Sequence, residues 1–236
     1  MLQHLNSLLS TRSLTHTQLL SYDTTFNVGD FYISVLLFRA VCFHEKPVMP
    51  ALFMLHERKL RSTHQKFVEI LSDKVPAMND SNCMLVTDGE VAFDVFEDKF
   101  PKLNKVMCWN HILSSAKQWL RNHSAASRDI QVYVDCIRTL LHMPTSAAYM
   151  QCYRDNSRLW SQAFKQYYDA EINCHIGRSL GRPVLERLNV YDANSGVTQN
   201  MSEGFNTVMR LHAGMEGSSA RRLHAHRVPA AVFLQQ

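Results

Sequence analysis

No apolar run in this sequence reaches the roughly 18 residues that a membrane span requires, so nothing in it reads as a transmembrane helix. No two of its six cysteines (Cys42, Cys83, Cys108, Cys136, Cys152 and Cys174) form a CxxC pair. Thiols scattered in this way read as reduced side chains of an intracellular protein, not as a disulfide frame. There is no P-loop, no GxGxxG, no HExxH and no GxSxG, which removes the commonest nucleotide-binding, zinc-protease and serine-hydrolase readings. No internal repeat is visible. The first 22 residues hold no acid and a single Arg among several Ser and Leu, a faint likeness to a mitochondrial targeting segment. One Arg is few for that role, and strand-like residues begin by Leu19. No secretory apolar core is present, so the sequons at Asn79, Asn122 and Asn200 carry no weight.

What is there suits a sizeable core. The chain has 236 residues, 46% of them hydrophobic and 19% charged, with a net charge of +4 and a sequence pI near 8.7. That length fits one large domain or two small ones, and that composition argues against disorder. The mild basicity is compatible with nucleic acid without requiring it.

Two stretches, Leu19 to Phe26 and Cys83 to Glu90, each hold a short apolar run that ends on an Asp, at Asp23 and at Asp88. Runs of this length bounded by turn residues read as buried strands. A carboxylate at the end of a buried strand is unfavourable unless something positive compensates it. Two such strands side by side bring two Asp together, and a divalent cation is the usual partner for such a pair.

The remaining elements follow in order. Phe31 to Phe43 is rich in aromatic and β-branched residues and follows the turn residues Asn27, Gly29 and Asp30, which predicts a hairpin with the first strand. Met49 to His56 reads as a third strand. Leu60, Phe67, Val68 and Leu71 share one helical face, ended by Pro76. Cys83 to Asp88 is a fourth strand, Val91 to Phe96 a short helix, and Lys105 to Trp109 a fifth strand. Ile112 to Leu120 marks another helix. Residues 125–172 are mostly helical by spacing, and a last helix covers Met201 to His212. This order predicts an α/β fold with one central sheet, in which strand four lies parallel to strand one through a right-handed crossover.

A third acid opens the last helix. Met201, Phe205 and Val208 mark its expected buried face, and Glu203, Asn206 and Arg210 another face. Asn200 and Glu203 also have capping-box spacing, so Glu203 has two readings: a group facing a site, or a cap satisfying a backbone N–H.

Tyr22-Asp23-Thr24-Thr25-Phe26, Thr87-Asp88-Gly89-Glu90, Phe100-Pro101 leading to Cys108-Trp109-Asn110-His111, and Asn200-Met201-Ser202-Glu203-Gly204-Phe205-Asn206 occur in the order found in the Mutator-like (MULE) transposase domain. The resemblance covers about residues 18–213. It implies an RNase H-like fold: a mixed five-stranded sheet flanked by helices, with a helical insertion before the last catalytic helix. It divides the chain into a leader (1–17), a core (18–123), a helical insertion and linker (124–199), a closing helix (200–213) and a disordered tail (214–236).

The resemblance also implies a DDE triad of Asp23, Asp88 and Glu203. These would hold two Mg²⁺ (or Mn²⁺) ions about 4 Å apart, Asp23 bridging and the other two acids each holding one ion. Mg²⁺ prefers hard oxygen ligands and keeps several waters, so a few carboxylates suffice. In the resembling enzymes, water cuts the transposon end and the freed 3′-hydroxyl attacks target DNA. The three carboxylates are therefore expected to converge within about 10 Å. The implied setting is the nucleus, with DNA as partner, a homo-oligomer as a further possibility and no membrane.

Cys108, His111 and Asn206 are supporting residues under this resemblance. Cys108 and His111 form a CxxH pair, half of a zinc site for which no second pair has suitable spacing. A local structural or substrate-positioning role stands beside the plainer reading of a buried Cys and a helix-start His. Glu90 reads as an acid at a helix start and Asp94 as solvated. Trp109, Trp119 and Trp160 read as core. Arg178, Arg182, Arg187 and Arg210 are candidate phosphate contacts, as is the tail cluster of Arg221, Arg222 and Arg227.

Longer members of the family carry zinc modules on either side of this domain. About 18 residues precede the first strand here and no Cys follows Cys174, so this chain is expected to contain no end-recognition module. Two functions follow: a transposase catalytic domain, or a transposon-derived protein that binds DNA or protein without catalysis.

Overall fold

A computed structural model of the chain describes residues 1–12, 18–28, 31–40, 44, 47–173, 175–176 and 200–213. Gly29 and Asp30, Cys174, the arginines at 178, 182 and 187, and the tail from 214 lie outside the described residues. The chain divides into two compact units. The first joins Met1–Lys105 to the segment from Gln199, and the second is Val106–Thr198.

The first unit is built on the sheet. The strands of the sheet are β1 (Gln18–Val28), β2 (Phe31–Arg39), β3 (Val48–His56), β4 (Cys83–Thr87) and β5 (Leu103–Met107, which the unit boundary divides after Lys105), in the order β3-β2-β1-β4-β5. β1 pairs antiparallel with β2, and β2 antiparallel with β3, as short connections allow. β1 pairs parallel with β4, the arrangement expected of a crossover through a helix. That helix is α2 (Arg61–Lys74), whose Thr63, His64, Phe67, Val68 and Leu71 are buried along one stripe. Pro76 opens a 3₁₀ turn (Pro76–Asn79) and stops it. A second 3₁₀ turn (Val91–Asp94) leads into α3 (Val95–Lys99). The architecture is α/β, with one mixed five-stranded sheet flanked by helices.

The strand period of two sorts the side chains cleanly. Leu20, Tyr22, Leu36, Phe38, Leu52, Met54 and Leu85 share one face, packed with Phe67, Val68 and Leu71 of α2 and with Phe93 and Phe96. Val35 and Leu37 lie on the other face, with Leu19, Val48 and Phe53 beside them. The last helix, α8 (Asn200–Ala213), covers this second face through Met201 and Phe205. Leu36 pairs with Leu52 but Leu37 with Pro50, so Ala51 is an extra residue that keeps both faces apolar across the bulge.

Tyr22 sits at the centre of the first face. Its ring lies 4.8–5.0 Å from Phe67, Phe93 and Phe96, and its hydroxyl meets His64 Nδ1 at 2.8 Å. Burial of that phenol is tolerated because its polar end is bonded. A second buried chain runs beside it, from Thr24 to Ser34 (2.7 Å), on to His56 Nε2 (2.8 Å), and from His56 Nδ1 to the Arg58 carbonyl (2.9 Å).

Three elements differ from expectation. Residues 1–17, read as a leader, contain helix α1 (Leu2–Arg12), whose Leu5, Leu8 and Leu9 join the core. The i, i+3, i+4 spacing of those leucines carried that signal. β5 lies two residues earlier than expected, because Cys108 already has the extended backbone of a helix N-cap (φ −61°, ψ 129°). β2 ends at Arg39, and residues 41–43 lie outside the described set.

The second unit is helical: α4 (Trp109–Asn122), α5 (Ser127–Leu141), α6 (Ser146–Ser157) and α7 (Gln162–Tyr167), continued by a π turn (Tyr168–Ile172). Thr145 and Ser161 cap α6 and α7 by accepting from Ala148 N and Phe164 N. Trp109, Tyr133, Tyr149, Trp160, Phe164 and Tyr168 are buried aromatic residues of this unit. Among the described residues no helix is long and apolar enough to cross a membrane.

Candidate functional site

The pairing of β1 with β4 sets the site. Gln18 faces Cys83, and the register holds without a shift through Leu19 with Met84, Leu20 with Leu85 and Ser21 with Val86. Carried two residues further, it sets Asp23 level with Asp88, immediately past the end of β4. Neighbouring strands run about 4.8 Å apart. Alternation puts Asp23 on the face of Ser21, under α8, while Tyr22 between them is locked into the opposite core. The aromatic packing around Tyr22 is thus what holds Asp23 in place.

Asp88 is fixed by a tight turn. Its Oδ1 accepts from Glu90 N at 3.0 Å, and Gly89 N donates to Thr87 Oγ1 at 3.2 Å. Gly89 has φ 93°, a conformation that residues with a Cβ rarely adopt, so glycine is required between the two acids. Asp23 and Asp88 are both partly exposed.

α8 docks on β1 with polar side chains. Ser202 and Ser21 hydroxyls meet at 2.6 Å, and Asn206 Nδ2 donates to Asp23 Oδ2 at 3.1 Å. Ser202 is fully buried and Asn206 is 9% exposed. The face turned to the sheet is therefore Met201, Ser202, Phe205 and Asn206, and Val208, at 49% exposure, lies off it. This corrects the expected grouping of Asn206 with Glu203 away from the apolar face. A serine and an aspartate on β1 provide partners for polar groups where an apolar sheet could not.

Glu203 is exposed, one position past Ser202 and three before Asn206, on the flank of the docked face. The side chain of Arg210 lies outside the described residues. Nothing lies within 4 Å of a Cβ built on Gly204, so packing does not demand glycine there. Asn206 Oδ1 is buried and has no hydrogen-bond partner.

The polar groups of this corner are the Asp23 and Asp88 carboxylates and the Asn206 amide, oxygen chemistry that a hard cation accepts, while Glu203 stays exposed on the flank of α8. Among the described residues no group of three or more His, Cys, Asp or Glu is already gathered as a metal cage.

Other expected roles resolve individually. Glu90 makes no side-chain cap and pairs with Lys59 at 3.5 Å. Asp94, expected to be solvated, is ion-paired with Lys105, whose side chain is only 12% exposed. A lysine that buried must be matched by a carboxylate, which draws Asp94 in. Trp109 and Trp160 are core residues, at 6% and 7% exposure. Trp119 is partly exposed, stacked on His123 at 3.7 Å and on Tyr167 at 4.8 Å. It borders a cleft of about 430 Å³ within the second unit that also includes Glu171 and His175.

Cys108 is fully buried at the N-cap of α4, and His111, in the first turn, donates its backbone N–H to the Cys108 carbonyl at 3.1 Å. Both belong to the second unit.

Sequence reasoning missed Ser21, Ser202 and the partner of Asn206. The signal was present: Ser21 and Asp23 lie two apart on a strand, Ser202 and Asn206 four apart on a helix, and each pair defines one polar line. No family model matches this chain, and no curated protein matches it.

Proposed function

We propose that this chain is a DDE-type transposase catalytic domain with an RNase H-like fold, which cuts and joins DNA strands in the nucleus with Mg²⁺ or Mn²⁺. One observation carries the reading: β1 and β4 pair in parallel without a register shift through Ser21 and Val86, a register that brings Asp23 level with Asp88 when carried two residues further. The strand order, with β1 central and parallel to β4, and a closing helix bonded to Asp23 both support it.

When bound, the metal ions supply activation of the attacking oxygen and relief of charge on the phosphorane-like transition state. Asp23 and Asp88 would hold them, with Glu203 of α8 as the third acid. Asn206 orients the Asp23 carboxylate. DNA is the substrate, met by basic side chains, and a second copy of the chain is the partner proposed beyond it.

A second reading has its own support. Asp88 already serves a backbone turn and Glu203 faces solvent, as suits a transposon-derived protein that binds DNA or protein without cutting it. Incubation of the chain with supercoiled plasmid and Mg²⁺ or Mn²⁺ separates the two. The catalytic reading expects nicked circles that disappear in Asp23→Asn. Intact plasmid under both ions, with the chain folded, refutes it.

A further inference from the structure

We infer that Asn206 is a positioning residue of the acidic site. Its Nδ2 fixes the Asp23 carboxylate, and its Oδ1 is an oxygen ligand for the divalent cation that the site takes. The inference rests on the metal-centre reading above.

The chemistry begins with the amide. Asp23 Oδ2 accepts, so the group facing it at 3.1 Å must be the NH₂, and the amide oxygen is turned elsewhere. Nδ2 and Oδ1 of one amide are roughly 2.3 Å apart, so Oδ1 lies no farther than about 5.4 Å from Asp23 Oδ2. Asn206 is 9% exposed and its Oδ1 has no hydrogen-bond partner. An orphaned buried carbonyl oxygen is uncommon in folded proteins and asks for a water, an ion or a function. Here it lies close to the Asp23 carboxylate, a group whose charge favours cations. Amide carbonyls are ordinary ligands for hard divalent ions.

The helix does not need Asn206 merely to dock. Met201 and Phe205 pack against the sheet, and the Ser202 hydroxyl bonds that of Ser21 at 2.6 Å. Two polar links to β1 therefore differ in one respect: Asn206 bonds the acid and Ser202 bonds Ser21. That difference makes Ser202 the control.

The test is metal binding by the full chain, by calorimetric titration with Mn²⁺ and Mg²⁺ in the absence of DNA. The native chain, Asn206→Leu, Asn206→Ser and Ser202→Ala are compared. Loss of a residue that orients a ligand and lends an oxygen is expected to weaken binding about 10–100-fold. Both Asn206 variants should show that loss, and Ser202→Ala should stay within about twofold of the native chain. If Leu at this position prevents folding, the Ser variant decides by the same criterion.

Binding by the Asn206 variants at native strength overturns the inference and leaves the metal-centre reading standing. Equal weakening in Ser202→Ala also overturns it, since that makes both residues simple fasteners of α8. No binding by the native chain refutes the metal centre itself, and the inference with it.

Discussion

Replacing Asp88 with Asn separates a ligand from a turn residue. The substitution keeps the shape of the side chain and removes one charge. It also keeps an Oδ1 able to accept from Glu90 N, so the turn over Gly89 should persist. The removed charge is one of two that face each other across adjacent strands. At about 5 Å two like charges repel by roughly 3 kcal/mol at an effective dielectric of 20 and by under 1 kcal/mol in water. Asp23 and Asp88 are both partly exposed, so relief near the low end, about 1 kcal/mol, is expected. For a chain of this size that is a rise in Tm of about 2–4 °C without metal. Metal acts in the opposite sense. An ion at a hundred times its Kd stabilises the native chain by about 2.7 kcal/mol, and the Asn variant should lose most of that gain. Melting curves for both proteins, with and without Mn²⁺, read the four values. A variant that melts lower without metal and gains as much from metal as the parent does would show that Asp88 shapes the turn and is not a ligand.

Two further outcomes follow from the core and the surface. Burial, helped by the charge of nearby His56 and Lys59, lowers the pKa of His64 from 6.5 to about 4. Between those values the unfolded chain binds a proton that the folded chain does not. Stability should therefore be full above pH 6.5 and fall by roughly 3 kcal/mol as the pH drops towards 4, with His56 acting in the same direction. Urea midpoints across that range should show the slope, and His64→Gln should flatten it; a native chain equally stable at pH 7 and 4.5 contradicts the assignment. Asp94→Asn should cost about 1–2 kcal/mol, because it leaves the nearly buried Lys105 with only Glu97 at 3.9 Å. Asp98→Asn should change stability by less than about 0.5 kcal/mol, because Arg61 and Asp98 are 49% and 64% exposed. Equal effects in denaturant titrations would remove the distinction.

The sheet was legible because its strands are short apolar runs with sharp ends. Both Asp-ended strands, the parallel crossover and the position of the last helix could be read from periodicity and turn residues. α1 was not, since a run of Leu and Ser without acids looks like a leader until Leu5, Leu8 and Leu9 are seen inside the core. The orientation of α8 was half legible. Its apolar residues gave a face, but the true face includes Ser202 and Asn206, because β1 meets them with a hydroxyl and a carboxylate. Polarity of a helix position records exposure only when the opposite surface is apolar. Asp94 misled in the same way: its partner Lys105 is eleven residues away, and no local pattern shows that this lysine is almost covered.

The place of α8 in the chain bears on how the protein is made. The strands that it covers are finished by Lys105, yet the helix itself follows the roughly ninety residues of the second unit. At synthesis rates of about 5–20 residues per second, some 5–20 s separate the two. Through that interval one face of the sheet is already backed by its core, while Val35, Leu37 and Phe53 on the other await Met201 and Phe205. Asp23 waits with them, held by Tyr22 from behind and not yet bonded to Asn206. Among the described residues the acidic corner is thus the last part of the first unit to close, and it closes in the same event that takes the apolar face out of water.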